Sequence, residues 1–121
     1  MIPFKRTDHI LINVPIGKLA EAGAFYEKVL ELPIISGDRP FNALWFKIAD
    51  IELHIMEEQQ GLSSQRHPAF EVSDLKIAED FLKSKGIEIS YSTVIEGRER
   101  LFFKDPYQNR FELLTYIYKN H

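Results

Sequence analysis

The chain has no cysteine. That excludes disulfides, thiolate metal sites and cysteine nucleophiles, so any metal must be held by imidazole nitrogen and carboxylate oxygen. Long hydrophobic runs are missing too. No stretch approaches the length of a membrane span, and although Lys5 and Arg6 stand near the start, no apolar segment follows them as it would in a secretory leader. The expectation is a soluble, cytoplasmic protein with no membrane partner. A basic excess is also absent. Fifteen Lys and Arg stand against 18 Asp and Glu, a formal net charge of −3, without the clustered cations on which nucleic-acid binders depend. Glycine and proline, six of each, are too few for a disordered or fibrous chain and serve as punctuation. What remains, 121 residues with 45% apolar and 27% charged side chains, is expected to form one domain over 1–121 that buries its core without a staple.

Hydrophobic patterning divides the chain into two similar halves. Residues 9–14 are rich in Ile, Leu and Val and stop at Pro15, as a strand does. From 16 to 30, Leu19, Phe25, Tyr26, Val29 and Leu30 recur near helical spacing, and Pro33 closes that segment. Extended segments follow over 34–37, 43–48 and 51–57. The second half repeats the order: a strand over 67–73, a helix over 74–85 stopped by Gly86, and strands over 87–90, 100–104 and 110–118. Each half reads βαβββ, the first over about 1–60 and the second over about 66–118, with the small polar residues 61–65 between them. The fold class expected is α+β, built from two tandem βαβββ modules.

Four residues fall on a doubled spacing. His9 and His54 are 45 apart (54 − 9), as are His67 and Glu112 (112 − 67); the second pair is the first displaced by 58 (67 − 9). Imidazoles with a carboxylate form a ligand set suited to borderline divalent metals. Alternation along the strands decides where they point. His9, Leu11 and Asn13 share the face opposite Ile10, Ile12 and Val14, and His67, Ala69 and Glu71 lie opposite Pro68, Phe70 and Val72. Likewise Glu52, His54 and Met56 oppose Ile51, Leu53 and Ile55, and Glu112 lies opposite Phe111 and Leu113. All four candidates can therefore lie on the face turned away from the helices. An inward carboxylate such as Glu112 is costly to bury unpaired. Of the adjacent Trp45 and Phe46, one should face the helices and the other the opposite side. Arg98 and Arg100 read as exposed charges beside Glu96 and Glu99, with contact to an anionic substrate as the alternative. Glu71 reads as a solvated strand residue.

Several segments, taken in order, resemble the vicinal oxygen chelate superfamily of glyoxalase I, fosfomycin-resistance enzymes, bleomycin-resistance proteins and extradiol dioxygenases. They are Asp8-His9-Ile10, the run Phe25-Tyr26-Glu27-Lys28-Val29-Leu30-Glu31-Leu32-Pro33, Leu53-His54-Ile55, Arg66-His67-Pro68-Ala69-Phe70-Glu71-Val72, and 103–113 with its Asp105-Pro106 turn and Phe111-Glu112-Leu113. The resemblance implies curved mixed sheets forming a cup around a divalent metal (Ni, Zn, Mn, Co or Fe). A His from the first strand of each module and a carboxylate or His from the last would bind it. Carried onto this chain, it implies His9, His67 and Glu112 as ligands, with His54 in the remaining position or Glu52 in its place. Glu112 would also be the catalytic carboxylate. The function implied is a metal-dependent lyase or isomerase of glyoxalase type acting on a small substrate with vicinal oxygens. The alternatives are an extradiol-type dioxygenase, for which His9, His67 and Glu112 would be an open facial triad, and a non-catalytic binding protein of the bleomycin-resistance kind. A homodimer is expected, with the aromatic tail Tyr116-Ile117-Tyr118 covered by a partner.

Overall fold

Strand β1, His9–Val14, forms where the β-branched run predicts and ends at Pro15, whose carbonyl accepts from the Lys18 N–H (3.0 Å). Helix α1, Leu19–Ala24, begins without a side-chain cap of its own; its first N–H donates to the Glu57 carboxylate at 3.1 Å. The helix continues through a π-helical turn, Phe25–Val29, where Leu30 N–H reaches back to the Phe25 carbonyl (3.0 Å). It closes on Glu31 at φ 60°, with Leu32 N–H donating to the Tyr26 carbonyl (3.0 Å). Within the π turn Tyr26 is fully buried, its ring 6.1 Å from that of Phe46. Gly23 permits this docking, since a Cβ there would stand 2.6 Å from the Leu44 Cδ1.

Strands β2, Ala43–Ile48, and β3, Ile51–Glu57, are joined by a two-residue turn with Ala49 at φ 51°. The strand expected over 34–37 reduces to a single bridge, Ile34 with Phe46, because Gly37 at φ 146° takes the chain out of extended geometry. The sheet order is β1-β3-β2, with β1 parallel and β2 antiparallel to β3.

In the second half β4, Ala69–Glu71, is shorter than expected: Pro68 lacks an N–H for the ladder, and Asp74 already caps the next helix by accepting from Ile77 N–H (3.1 Å). Helix α2, Leu75–Ser84, stops at Gly86 (φ 72°), where Ile87 N–H bonds the Leu82 carbonyl and Gly86 N–H that of Lys83, both at 3.0 Å. Strands β5, Ile89–Ser90, β6, Arg98–Lys104, and β7, Arg110–Tyr116, complete a sheet of order β4-β7-β6-β5. Only the β4–β7 pairing is parallel.

This computed structural model describes residues 1–39 and 41–117, so Tyr118 of the expected last strand and tail lies outside the described residues. The chain divides into two compact units, Met1–Leu62 and Ser63–His121. The architecture is α+β, with two mixed sheets and two helices. None of the described helices is long and apolar enough to cross a membrane. Each unit packs helix-facing strand residues against its helix in a core: Val14, Phe46, Leu53 and Ile55 with Tyr26 of the helical turn in the first, Leu101, Phe103 and Phe111 with Leu82 of α2 in the second. Each such side chain contributes about 1.5–3 kcal/mol on burial.

One register governs both units. β1 pairs with β3 at an offset of 43 residues (His9 with Glu52, 52 − 9), and β4 with β7 at the same offset (Ala69 with Glu112, 112 − 69). A spacing of 45 is that register plus two, which places the second residue on the same face one pleat beyond the first one's partner.

The turn feeding β7 is pinned by Asp105, which is buried; its Oδ1 accepts from the N–H groups of Tyr107 and Asn109, each at 2.8 Å, and its Oδ2 from the Asn109 side-chain amide at 2.8 Å. Asp105→Ala strands these donors and is expected to destabilise the protein by about 2–4 kcal/mol. Urea denaturation checks this, and an unchanged midpoint would mean that the turn does not depend on the carboxylate.

Candidate functional site

In the first unit the register sets His54 between Leu11 of β1 and Trp45 of β2, with His9 diagonal to it on the same face. The rings stack. His9 and His54 centroids are 4.1 Å apart at 16°, and Trp45 lies on the other face of His54 at 4.0 Å and 3°. The Arg39 guanidinium, anchored on the Ile35 carbonyl (2.9 Å), covers Trp45 at 3.6 Å. Phe46, its neighbour, is the one that faces the helix. Each imidazole has one nitrogen at a carboxylate: His9 Nδ1 at Asp8 Oδ2 and His54 Nε2 at Glu52 Oε1, both 2.9 Å. The hydrogen bond from His9 is the main cause holding the Asp8 carboxyl below its ordinary value, against a smaller opposing effect of desolvation.

In the second unit His67 stands just before β4, its Nδ1 donating to the Gln65 carbonyl (2.8 Å) and its Nε2 2.9 Å from Glu112 Oε1. The Glu112 side chain is only 6% exposed, and its other oxygen lies 3.6 Å from Arg100 Nη1. Arg100 is held in turn by the Thr93 carbonyl (2.8 Å), and the His67 and Phe102 rings meet in a T-shaped contact with centroids 5.2 Å apart. The backbone repeats a first-unit contact: Glu112 N–H donates to the Pro68 carbonyl (3.0 Å) as Glu52 N–H does to that of Asp8 (3.2 Å). By backbone register Glu52 is thus the counterpart of Glu112, whereas by the diagonal side-chain relation His54 is. Among the described residues no three His, Asp or Glu side chains converge as a group able to hold an ion. The four candidates stand as two pairs, one in each unit.

The model of the Glyoxalase/Bleomycin resistance protein/Dioxygenase superfamily matches residues 6–113. The chain belongs to this superfamily. Its fold is similar to that of a protein described as a glyoxalase family member from Bacillus anthracis, with 29% identity over 97% of this chain and all (100%) of that one, at a TM-score of 0.84. A lactoylglutathione lyase from Agrobacterium tumefaciens (18% identity, 93% of this chain and 95% of that one, TM-score 0.73) shares the fold. So does a genomically encoded fosfomycin resistance protein from Listeria monocytogenes (21%, 98% and 96%, 0.69). No match was found among curated proteins.

For this superfamily member one reading of the sequence needs correction. Arg100 is no exposed surface charge: its side chain is 15% exposed and faces Glu112. Arg98 lies over the Tyr116 ring at 5.0 Å. Glu71 is exposed, as expected. The contacts of Arg39 and Gln65 were not foreseeable from spacing, since both sit in loops. Arg100 could have been found only with the β6–β7 register, which sets it opposite Leu114, two residues beyond Glu112.

A buried carboxylate that loses its cation is costly. Arg100→Met is expected to destabilise the metal-free protein by about 3 kcal/mol, and Glu112→Gln in the same chain to recover much of it. Chemical denaturation of both single variants and the double variant measures the coupling; additive effects would show that the 3.6 Å approach carries no energy.

Proposed function

We propose that the protein is a small metal-dependent enzyme of glyoxalase type, a cytoplasmic lyase or isomerase acting on a small substrate with vicinal oxygens. One observation carries this reading: each of the three histidines already commits one ring nitrogen to an oxygen acceptor, His9 to Asp8, His54 to Glu52 and His67 to Gln65. Metal-binding imidazoles are held in this way, with the outer acceptor fixing the tautomer and leaving the other nitrogen as a lone pair. For His67 the consequence is sharp. With Nδ1–H given to a carbonyl, Nε2 of the neutral ring meets the Glu112 oxygen at 2.9 Å, acceptor to acceptor, and either a second proton or a cation must reconcile them.

The ligand set proposed is His9, His67 and Glu112, with the fourth position taken by His54, oriented by Glu52. Its nitrogen and oxygen donors suit Ni, Zn, Mn, Co or Fe. Bound there, a divalent ion would supply Lewis acidity toward neighbouring substrate oxygens. The chain's own residues do the remainder. In this reading Glu112 accepts or returns a substrate proton, with Arg100 and His67 each at one of its oxygens, and the Trp45–His54–His9 stack keeps two imidazoles in fixed planes.

An extradiol-type dioxygenase is the second reading. The hold of Glu52 and Trp45 on His54 favours it to the extent that His54 stays out of the metal shell. A non-catalytic binder of the bleomycin-resistance kind fits less well, since it has no use for three tautomer-fixed histidines. We also propose a homodimer, because Tyr116 and Ile117 remain exposed at the end of the described chain.

Purified protein is expected to retain about one divalent ion per four-ligand set, lost in His67→Ala and in Glu112→Ala by elemental analysis. Trp45 is the only tryptophan, and its stacking on His54 makes its emission the local reporter. Returning metal to chelated protein should change that emission in the parent and not in His54→Ala. If the parent retains no metal and its emission ignores added metal, the metalloenzyme reading fails. An Fe(II) form that binds nitric oxide would favour the dioxygenase. Sedimentation at low micromolar concentration tests the dimer, which a monomer mass would exclude.

A further inference from the structure

The face of the second sheet that carries Glu112 is built with more positive charge than its own carboxylates require. Antiparallel register sets Arg98, Arg100 and Phe102 of β6 on that face, opposite Tyr116, Leu114 and Glu112, with Arg110 two residues before Glu112, and the parallel register with β4 adds the exposed Glu71 opposite Leu114. Phe102 is the centre of the group: the Arg110 guanidinium lies over its ring at 4.0 Å, that of Arg100 at 5.2 Å, and His67 meets it in a T-shaped contact. Arg100 approaches the Glu112 carboxylate, and at 3.6 Å it stops short of a hydrogen bond. Arg110 donates to the Gln65 side-chain oxygen (2.9 Å), and among the described residues the Nε–H groups of Arg98 and Arg100 are buried without an acceptor.

A guanidinium carries five donors in a planar fork matched to carboxylate and phosphate oxygens. Three such forks against the two carboxylates of Glu112 and Glu71 on one sheet face, in a chain whose net charge is −3, leave a local excess of donors and of positive charge. The ring of Phe102 fixes two of them by cation–π contact, so little conformational freedom remains to be lost when an anion arrives.

We propose that this face is an oxyanion subsite: Arg100 and Arg110, flanking Phe102, recognise an anionic carboxylate or phosphate-like group of the substrate, and Arg98 adds long-range attraction from Tyr116. The assignment of that anion to the substrate rests on the reading of Glu112 as the metal-side carboxylate. The substrate class then narrows to small oxygen-bearing anions whose charged group lies beside the reacting oxygens. Arg100 thereby serves both partners, steadying Glu112 with one terminal nitrogen and facing the incoming anion with its remaining donors.

The test uses the full-length chain, as purified and again after chelation. Inorganic phosphate and acetate are titrated against chloride at constant ionic strength, and the thermal unfolding midpoint is followed. The expected result is a saturable rise with phosphate or acetate that chloride does not give and that survives chelation. The ion that binds more tightly tells a phosphate-like group from a carboxylate. Arg110→Gln and Arg100→Gln should each weaken that binding about tenfold or more, while Arg100→Lys keeps part of it and Arg98→Gln stays within about twofold, as expected of a distant charge. Because Arg100 also supports Glu112, Arg110→Gln decides the matter if Arg100→Gln does not fold. Equal shifts with chloride, unchanged affinity in Arg110→Gln, or loss of the effect on chelation would each overturn the subsite. A protein that binds phosphate without metal but never loads metal would leave the subsite standing and sink the metalloenzyme reading instead.

Discussion

Parallel pairing between the first and last strand of each half, at one common offset, decides which side chains can meet. The pleat allows two outcomes only, and a slip of one residue in either ladder would turn every side chain of that strand to the opposite face. In the first unit such a slip would drive His54 under the helix and bring Leu53 out. In the second it would carry Glu112 into the layer of Phe103 and Phe111, where a carboxylate has no partner. The buried aliphatic residues opposite the candidates therefore hold the register by the free energy of their burial, and the polar pairs inherit their positions from it.

The two units then immobilise their histidines by different physics. In the first, His9 and His54 are held by their faces, in a column that runs from Arg39 through Trp45, and Glu52 and Asp8 attend only to the edges. In the second, His67 is held by its Nδ1 on a backbone carbonyl and presents Nε2 to Glu112, and the stack is replaced by a T-shaped contact with Phe102. The first arrangement needs no net charge. The second concentrates charge around Glu112, whose two oxygens meet an imidazole and a guanidinium in a place nearly shut off from solvent. Similar backbones thus support two electrostatically unlike surroundings.

Much of this was legible in the sequence because alternation is a local property. Ile51, Leu53 and Ile55 against Glu52, His54 and Met56 needed no knowledge of the fold, and the equal spacing of the two candidate pairs reflected the equal offset of the two ladders. Strand lengths were harder, since they depend on neighbours: Pro68 and the Asp74 cap trimmed β4, and Gly37 removed all but one bridge of the segment after Pro33. The π-helical turn leaves no mark in a pattern of apolar residues. Trp45 and Phe46 could be told apart only once a ring was seen on each side, and Arg100 reads as a surface residue until the ladder sets it beside Leu114. Spacing shows which face a residue takes; which partner it finds there depends on residues far away in sequence.

The sandwich around His54 has a kinetic meaning beyond its geometry. To bring Nδ1 where Cδ2 stands, and Nε2 where Cε1 stands, an imidazole must turn by half a revolution about its Cβ–Cγ bond, and that axis lies in the ring plane, so the ring edges sweep through the space above and below. With aromatic neighbours at 4.1 and 4.0 Å on the two faces, that space is filled, and the turn requires the stack to open first. Free imidazoles on an open strand reorient on the nanosecond scale of exposed side chains; this one is locked against turning over. The side to which His54 turns its nitrogens is thereby set when the sheet assembles and persists as long as Trp45 stays in place.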